Sequence, residues 1–599
     1  MKKYLFIALA LLGMASCAKD DLNGGNKPNH NGEIEESYIA INLMAADSGT
    51  RGTSGTSDED YEKGTDAERV VNSAYFFFFD AQGNPFYVNN ANSSATKPGT
   101  TEQTNHLSLS ISEASTEAMP NVSDIKEAVL ILETYKGVYP SQIVAVINWV
   151  PTAKAYTLGQ LHDALVGLRG TENGFVMSNS VYMDGAGKMV DAVPLTAANI
   201  KTSETDAKNT PVEIYVERIA AKVVLTASGK VSGTTNIFDT QKNTTPVVSA
   251  GQSSDIDVYV QLHGWELYND HNTSNLLKNI DPAWGDGEGL GLNWNDRFKF
   301  RSYWALSQDK SVLDDKFAWE YTSDEQTANG FKTKYGFAVA SDATYTDDTT
   351  YTYCGENTGT SIVSTIEDKT VVTPYDKNTK VILKGQLMKK IDENNYEALE
   401  LARWYGTDYA GEYALRIAVA NSLKYTLFSS PDNGISFDPI KPEDLMCVAG
   451  SVVGKEAYEV GFQLSTTDDV GEDKTWYKYN STQGYVLFGT ADDHDSNTTD
   501  TNNDLKSVQP ALLYKTGQTY YIVDIEHFGT KTAAYGVVRN HVYQIDINSI
   551  KGYGSPVYNG TGNIIEPEYP EVEDESSYVA ARINVLSWKI VKQTVDIVQ

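Results

Sequence analysis

Residues 37–44, SYIAINLM, alternate with a period of two and place Ile39, Ile41 and Leu43 on one face, the pattern of a half-buried strand. Directly behind it, residues 46–68 are rich in Gly, Ser, Thr, Asp and Glu and carry no apolar period, so they read as a long loop. Past the loop, residues 70–79 (VVNSAYFFFF) form a strongly apolar run of strand length. Strand, loop and aromatic strand set the tone of the chain. Residues 129–133 and 143–149 read as further buried strands, residues 157–168 (TLGQLHDALVGL) as a short amphipathic helix, and residues 212–226 (VEIYVERIAAKVVLT) as one or two strands closing a first region. A second, loop-rich β region follows to about Tyr553 and includes late strands at 519–525 and 541–547. No repeat of fixed period is present.

Composition agrees with an all-β or β-dominated chain. The 37 Tyr, frequent Thr and Val, and many Gly, Asn and Asp clusters favour strands and turns. The 599 residues carry 48 Lys+Arg against 80 Asp+Glu, a formal net charge of -32. Such a charge repels nucleic acid and anionic lipid headgroups, so neither is expected as a ligand. Cys354 and Cys447 could form one disulfide in an oxidising setting or remain two buried thiols.

Both chain ends carry stronger signals. Residues 1–16 have Lys2 and Lys3, an apolar run from Tyr4 to Leu12, and small residues leading to Cys17, the plan of a secretory signal. That run is too short to span a bilayer as a helix. MASC at 14–17 resembles a bacterial lipobox, with Met14 in place of the usual Leu. Lys19, Asp20 and Asp21 resemble the acidic export signal of Bacteroidetes surface lipoproteins. Acylation of Cys17 would anchor the chain without a membrane-spanning segment. Residues 17–36 then read as a flexible leash.

At the other end, residues 565–577 (IEPEYPEVEDESS) form a stiff acidic spacer, followed by the hydrophobic tail YVAARINVLSWKIVKQTVDIVQ at 578–599. Ile583 and Val585 share one side, Leu586, Trp588 and Ile590 the other, and Val595 and Ile597 return to the first. That change of phase implies a bulge or two short strands. The tail fits either an ordinary strand of its own domain or a strand held out for another molecule, and the secretory and lipid signals favour the second.

The search for chemistry finds no catalytic, cofactor or metal site. The eight His are scattered, with no metal-ligand spacing, phosphate loop or nucleophile elbow. Asp492, Asp493, Asp495, Asp500 and Asp504 lack the spacing of a calcium loop and read as solvated. Trp294, Tyr303 and Trp304 read as core aromatics rather than a sugar platform. Arg51, within Gly49-Thr50-Arg51-Gly52-Thr53, sits in the small, flexible kind of sequence a trypsin-like protease engages, with Lys63 and Arg69 as rivals.

Several stretches together resemble the Bacteroidales type V fimbrillin family, and within it the shaft subunit of the minor fimbria. They are the lipobox and its acidic follower, the strand, loop and aromatic strand at 37–79, FVMSNS at 175–180, VER at 216–218 with AKV at 221–223, YCGENT at 353–358, VRNHVY at 538–543, and INVLSW at 583–588. The resemblance implies two β-sandwich-like domains, at 37–228 and 229–564, with the acidic spacer and a donor strand at 565–599. It implies export to the outer membrane as a lipoprotein, cleavage after Arg51 by a trypsin-like, Arg-specific protease, and loss of the strand bearing Ile39, Ile41 and Leu43. The tail of an identical subunit would fill the vacated slot, building a head-to-tail fimbria with accessory tip and anchor proteins that serves adhesion, biofilm formation or host colonisation. Rival expectations are a minor tip or anchor component, which would lack either the free tail or the cleavable loop, and a surface glycan-binding lipoprotein that stays monomeric.

Overall fold

The computed structural model describes residues 34–598 except 47–63, 89–103, 110–111, 114–121, 136, 171–173, 184–188, 250–251, 280–306, 308–334, 339–348, 359–361, 367–368, 374–377, 394, 433, 450–458, 465–474, 490–503, 528–534, 558–577 and 581–588. The aromatics at 294–304 and Asp492, Asp493, Asp495 and Asp500 therefore lie outside the described residues, while Asp504 opens a short 3-10 turn, Asp504–Ser507. The chain is β-dominated, as its composition requires.

A nine-stranded sheet forms first. Its main strands are β1 (Ile34–Ala46), β2 (Ala74–Phe79), β3 (Val122–Tyr135), β4 (Gln142–Ile147), β5 (Met177–Asn179) and β6 (Val212–Arg218). Their lateral order is β2-β4-β5-β6-β1-β3, so β1 is an interior strand. It runs parallel to β6, from Ile41 opposite Val212 to Ala45 opposite Val216. On its other side it runs antiparallel to β3, from Ile34 opposite Tyr135 to Ala46 opposite Val122. Phe76, Phe77, Phe78 and Phe79 are all buried, which explains an unbroken apolar run where a sheet with one wet face would alternate. They share a core with Ile39, Ile41, Leu130, Leu132 and Ile143 to Ile147.

Two expectations from the sequence change here. A one-turn helix, α1 (Asp66–Arg69), closes what reads as loop through residue 68. The segment 157–168 is not one helix: α2 spans Leu158–His162, and Leu165–Gly167 pairs as a strand with Thr273–Asn275. Thr157 and Gln160 make a reciprocal capping box, and Leu161 alone of the helix is buried, so too little apolar face remains to continue it.

After Arg218 only Ile219 separates β6 from β7 (Ala220–Thr226), and the chain changes sheet. β7 lies in a five-stranded sheet with β10 (Tyr351–Gly355) antiparallel on one side and β13 (His541–Ile550) parallel on the other. A second nine-stranded sheet contains β8 (Ile237–Ser249), β9 (Gln252–Tyr268), β11 (Lys380–Lys390) and β12 (Gln518–Asp524). The two sheets enclose a core of Val223, Leu225, Val258, Val260, Leu383, Tyr521, Tyr543 and Ile545, which makes this part sandwich-like. β7, which the sequence reading places with the first region, thus belongs to the second pair of sheets. Leu276 and Leu277 do the reverse and enter the first core.

A helix that the sequence reading passes over, α3 (Gly411–Leu423), buries Ala414, Leu415, Val419 and Ala420 in a third cluster with Trp404, Phe462 and Trp476. Cys354 and Cys447 are both free and buried, which settles the open choice between a bridge and two thiols. Burial pushes both thiols up, Cys354 well above its ordinary value, so neither is a ready thiolate.

Candidate functional site

The two chain ends enter the sheets in different ways. Ile39 and Ile41 of β1 are fully buried, while Leu43 has its backbone opposite both Ile214 and Lys126. Full burial of Ile39 and Ile41 is worth about 1.5–3 kcal/mol each. Cys17, Lys19, Asp20, Asp21, Arg51 and Lys63 lie outside the described residues, as do Ile583, Val585, Leu586 and Trp588 of the tail.

The rest of the tail differs from its expected held-out state. Residues Lys589–Val598 form β14, which pairs in parallel with β13 of the same chain, and Tyr578–Ala580 folds against its other side. Ile590 stands opposite Val542, Val595 opposite Ile547, and Ile597 opposite Ile550. The physical reason is the ladder: β13 offers unpaired main-chain groups on the side away from β7, and in a single chain the tail is the strand within reach. The pairing is regular from Lys589 opposite His541 to Val595 opposite Ile547, and the one register shift, between Ile547 and Ser549, lies on β13 rather than in the tail.

Between the first sheet and the sandwich the sequence stretches named above converge. FVMSNS contributes Ser178, whose hydroxyl donates to the Leu276 carbonyl at 2.5 Å, and Asn179, whose amide accepts from Ala145 N at 2.9 Å and donates to the Asp191 carbonyl at 2.8 Å. From VER come Glu217, with Lys278 Nζ at 2.9 Å, and Arg218, whose Nη1 donates to Asn540 Oδ1 at 3.1 Å. YCGENT supplies Glu356, and VRNHVY supplies Arg539, whose Nη2 lies 3.3 Å from Glu356 Oε1 and donates to the Asn275 carbonyl at 2.8 Å. All these side chains are buried. Burial pushes Glu217 upward against the pull of Lys278 and Arg539.

Two backbone positions explain the residue types here. Asn540 has φ +59°, a conformation Asn tolerates, and its N–H donates to the Ala220 carbonyl at 2.6 Å, tying the start of β13 to the sheet change. A Cβ on Gly355 would lie 2.2 Å from the Thr273 carbonyl oxygen, so only glycine permits that approach.

Glu68 joins the same junction from the far side of the loop. Its Oε1 lies 3.1 Å from Lys222 Nζ on β7, and the Tyr353 hydroxyl of β10 donates to the same oxygen. Oε2 accepts from Thr65 N at 2.5 Å, completing a capping box, and the Glu68 carbonyl accepts from Arg218 Nε at 2.8 Å. Burial works to raise the carboxyl's pKa, but Lys222, Tyr353, Arg218 and the Thr65 amide outweigh it and hold Glu68 below its ordinary value. The T-x-x-E spacing of Thr65 and Glu68 was a readable helix-start signal. Nothing in the sequence marked Glu68 as buried.

The arrangement holds two sheets together. The hydroxyls of Tyr353 and Tyr543 are pushed far up by burial and are poor proton donors. Among the described residues no group of three or more His, Cys, Asp and Glu is placed to hold a metal ion, and no helix is long and apolar enough to cross a membrane.

Residues 512–594 match the family model described as "Major fimbrial subunit protein type IV, Fimbrillin, C-terminal". That span contains β12, β13 and the start of β14. Among solved structures, a fimbrilin from Porphyromonas gingivalis is 10% identical with TM-score 0.30, covering 94% of this chain and 98% of that one. The tip fimbrial protein of Porphyromonas gingivalis with C-terminal truncation is 12% identical with TM-score 0.24, covering 61% of this chain and 82% of that one. A fimbrial assembly protein from Parabacteroides distasonis is 9% identical with TM-score 0.25, covering 61% of this chain and 100% of that one. No curated protein matches the chain. Through residues 512–594, this chain resembles the fimbrillin family of major fimbrial subunits.

Proposed function

We propose that the chain is the shaft subunit of a surface fimbria. It is exported as a lipoprotein precursor acylated at Cys17, cut after Arg51, and polymerised by strand exchange with the tail of an identical subunit. The observation that carries this reading is the interior position of β1, hydrogen-bonded to β6 on one side and β3 on the other. A strand in that position can be lost only by leaving a slot with two open edges, and each edge offers a full ladder to an incoming strand.

The energetics support a cut as the trigger. While β1 is covalently attached its effective concentration excludes a foreign tail. Hydrolysis by a trypsin-like protease, with water supplying the new carboxylate and amine, makes its departure effectively irreversible. The tail then has to leave β13 to enter a neighbour. Its apolar set, Ile583, Val585, Leu586, Trp588, Ile590, Val595 and Ile597, is larger than the alternating set Ile39, Ile41 and Leu43 of β1, which favours the exchange.

Treating purified precursor with a trypsin-like protease should convert monomer into a ladder of very stable oligomers on gels. Precursor with Arg51, Lys63 and Arg69 all replaced by Ala should stay monomeric. Fibres from that triple variant would overturn the reading.

A further inference from the structure

The cation-bearing residues near the processed loop are not equivalent. Arg69 closes α1, immediately after Glu68, and the chain around it is pinned on both sides. Upstream, Thr65 and Glu68 are joined by their capping box, and Glu68 is held by Lys222 and Tyr353 through its side chain and by Arg218 through its carbonyl. Downstream, Asn148, itself at φ +57°, donates from Nδ2 to the Val70 carbonyl at 2.8 Å and accepts from Asn72 N at 2.7 Å. Ser73 then accepts from Asn148 N at 2.9 Å, and β2 begins at Ala74. A protease must draw several residues on each side of the scissile bond into an extended conformation, and here Thr65, Glu68, Val70, Asn72 and Ser73 would all have to give up bonds to do so.

We propose that Glu68 is a latch that sets the downstream limit of processing: it shields the Arg69–Val70 bond and, once the chain is cut upstream, keeps the new amino-terminal segment docked across both sheets. This rests on the processing proposed above and narrows its site to Arg51 or Lys63. The placement has a structural logic. Cleavage after Arg69 would detach Glu68 from the mature protein and leave Lys222, on β7, buried without its carboxylate, so the cut that frees β1 would also weaken the sheet junction. A cut upstream of Gly64 spares it.

The test is limited trypsin digestion of the precursor with sequencing of the new amino termini. Wild type should be cut upstream of Gly64 and resist cutting after Arg69. Glu68→Ala should yield a terminus at Val70 at least about tenfold faster than wild type, because cleavage follows the population of the locally open form. Tyr353→Phe, which removes one bond and keeps the Lys222 pair, should fall between the two. Near-ultraviolet circular dichroism of each variant separates local release of α1 from loss of the whole fold. Rapid wild-type cleavage after Arg69, or Glu68→Ala and Tyr353→Phe proteins that keep their fold and still resist at Arg69, would overturn the latch. Failure of the parent reading looks different: no upstream cut in wild type, with Arg69 still protected and still opened by Glu68→Ala.

Discussion

At the scale of single residues the molecule depends on buried charges that each have a partner. Arg539 reaches Glu356 and the carbonyls of Asn275 and Leu276, so Arg539→Ala takes the guanidinium away from a buried carboxylate and a donor from each of two carbonyls. Denaturant unfolding should show a loss of about 3–5 kcal/mol, the range for removing one member of a buried pair. Glu68 adds a pH dependence whose sign follows from its depressed pKa. Its contribution is complete above the ordinary glutamate value of 4.5 and is lost as pH falls through the lower folded value. The difference in unfolding midpoint between wild type and Glu68→Gln should therefore be largest at neutral pH and shrink in acid below 4.5. Sequence showed these residues as members of quoted stretches and gave no hint of their pairing. A buried Lys222 and a solvated lysine are the same letter, and the distinction is made by which strands meet around it.

At the scale of elements, β1 and β14 occupy contrasting positions. β1 is interior and carries two ladders, so its apolar face is part of the first core. Ile39→Ala and Ile41→Ala should each destabilise the precursor by about 2–5 kcal/mol, measured by denaturant unfolding. Each should also speed exchange after processing, since the displaced strand is held less tightly. β14 lies toward the outside of its sheet, beyond β13. Deleting residues 581–599 should leave a folded precursor with native circular dichroism that is processed normally and fails to polymerise. Fibres from that truncation would show that the tail is not the donor. Among elements, the apolar strands of the first region and the late strands at 519–525 and 541–547 were legible in advance, whereas β8, β9 and β11 were read only as part of a loop-rich β region and the short helices were not legible. Residues 157–168 have a helical period on paper, yet Leu165–Gly167 gains more by pairing with Thr273–Asn275, a partner more than a hundred residues away. The reverse miss, α3, arose because Gly411–Leu423 lies between strands and offers a broken apolar stripe.

At the scale of the whole molecule, assembly as proposed would bring together copies of a chain whose full sequence carries a net charge of -32. Screening lengths fall from about 30 Å at 0.01 M salt to about 8 Å at 0.15 M, so polymerisation of processed subunits should accelerate across that range. Light scattering at several salt concentrations checks this, and a rate that is flat or falls with salt would point to an attractive electrostatic interface instead. The junction sets the second whole-molecule property. Because residues 212–226 run as β6 in one sheet and β7 in another with only Ile219 between them, and Leu276 and Leu277 return to the first core, the halves are joined by a direct strand-to-strand passage and by apolar packing as well as by charge.

By itself the amino-acid sequence determined that this is a strand-built chain of strongly negative charge, with an apolar first strand, a candidate processed loop and a hydrophobic tail. Those properties are local: a strand's own alternation states which face is apolar. Only the tertiary structure decided that β1 is interior, that the change of sheet falls at Ile219, that the tail rests on β13 in the single chain, and that Glu68 bridges the two sheets. Main-chain ladders are blind to side-chain identity, so which strand lies beside which, and which polar groups are thereby sealed from water, is settled by long-range packing.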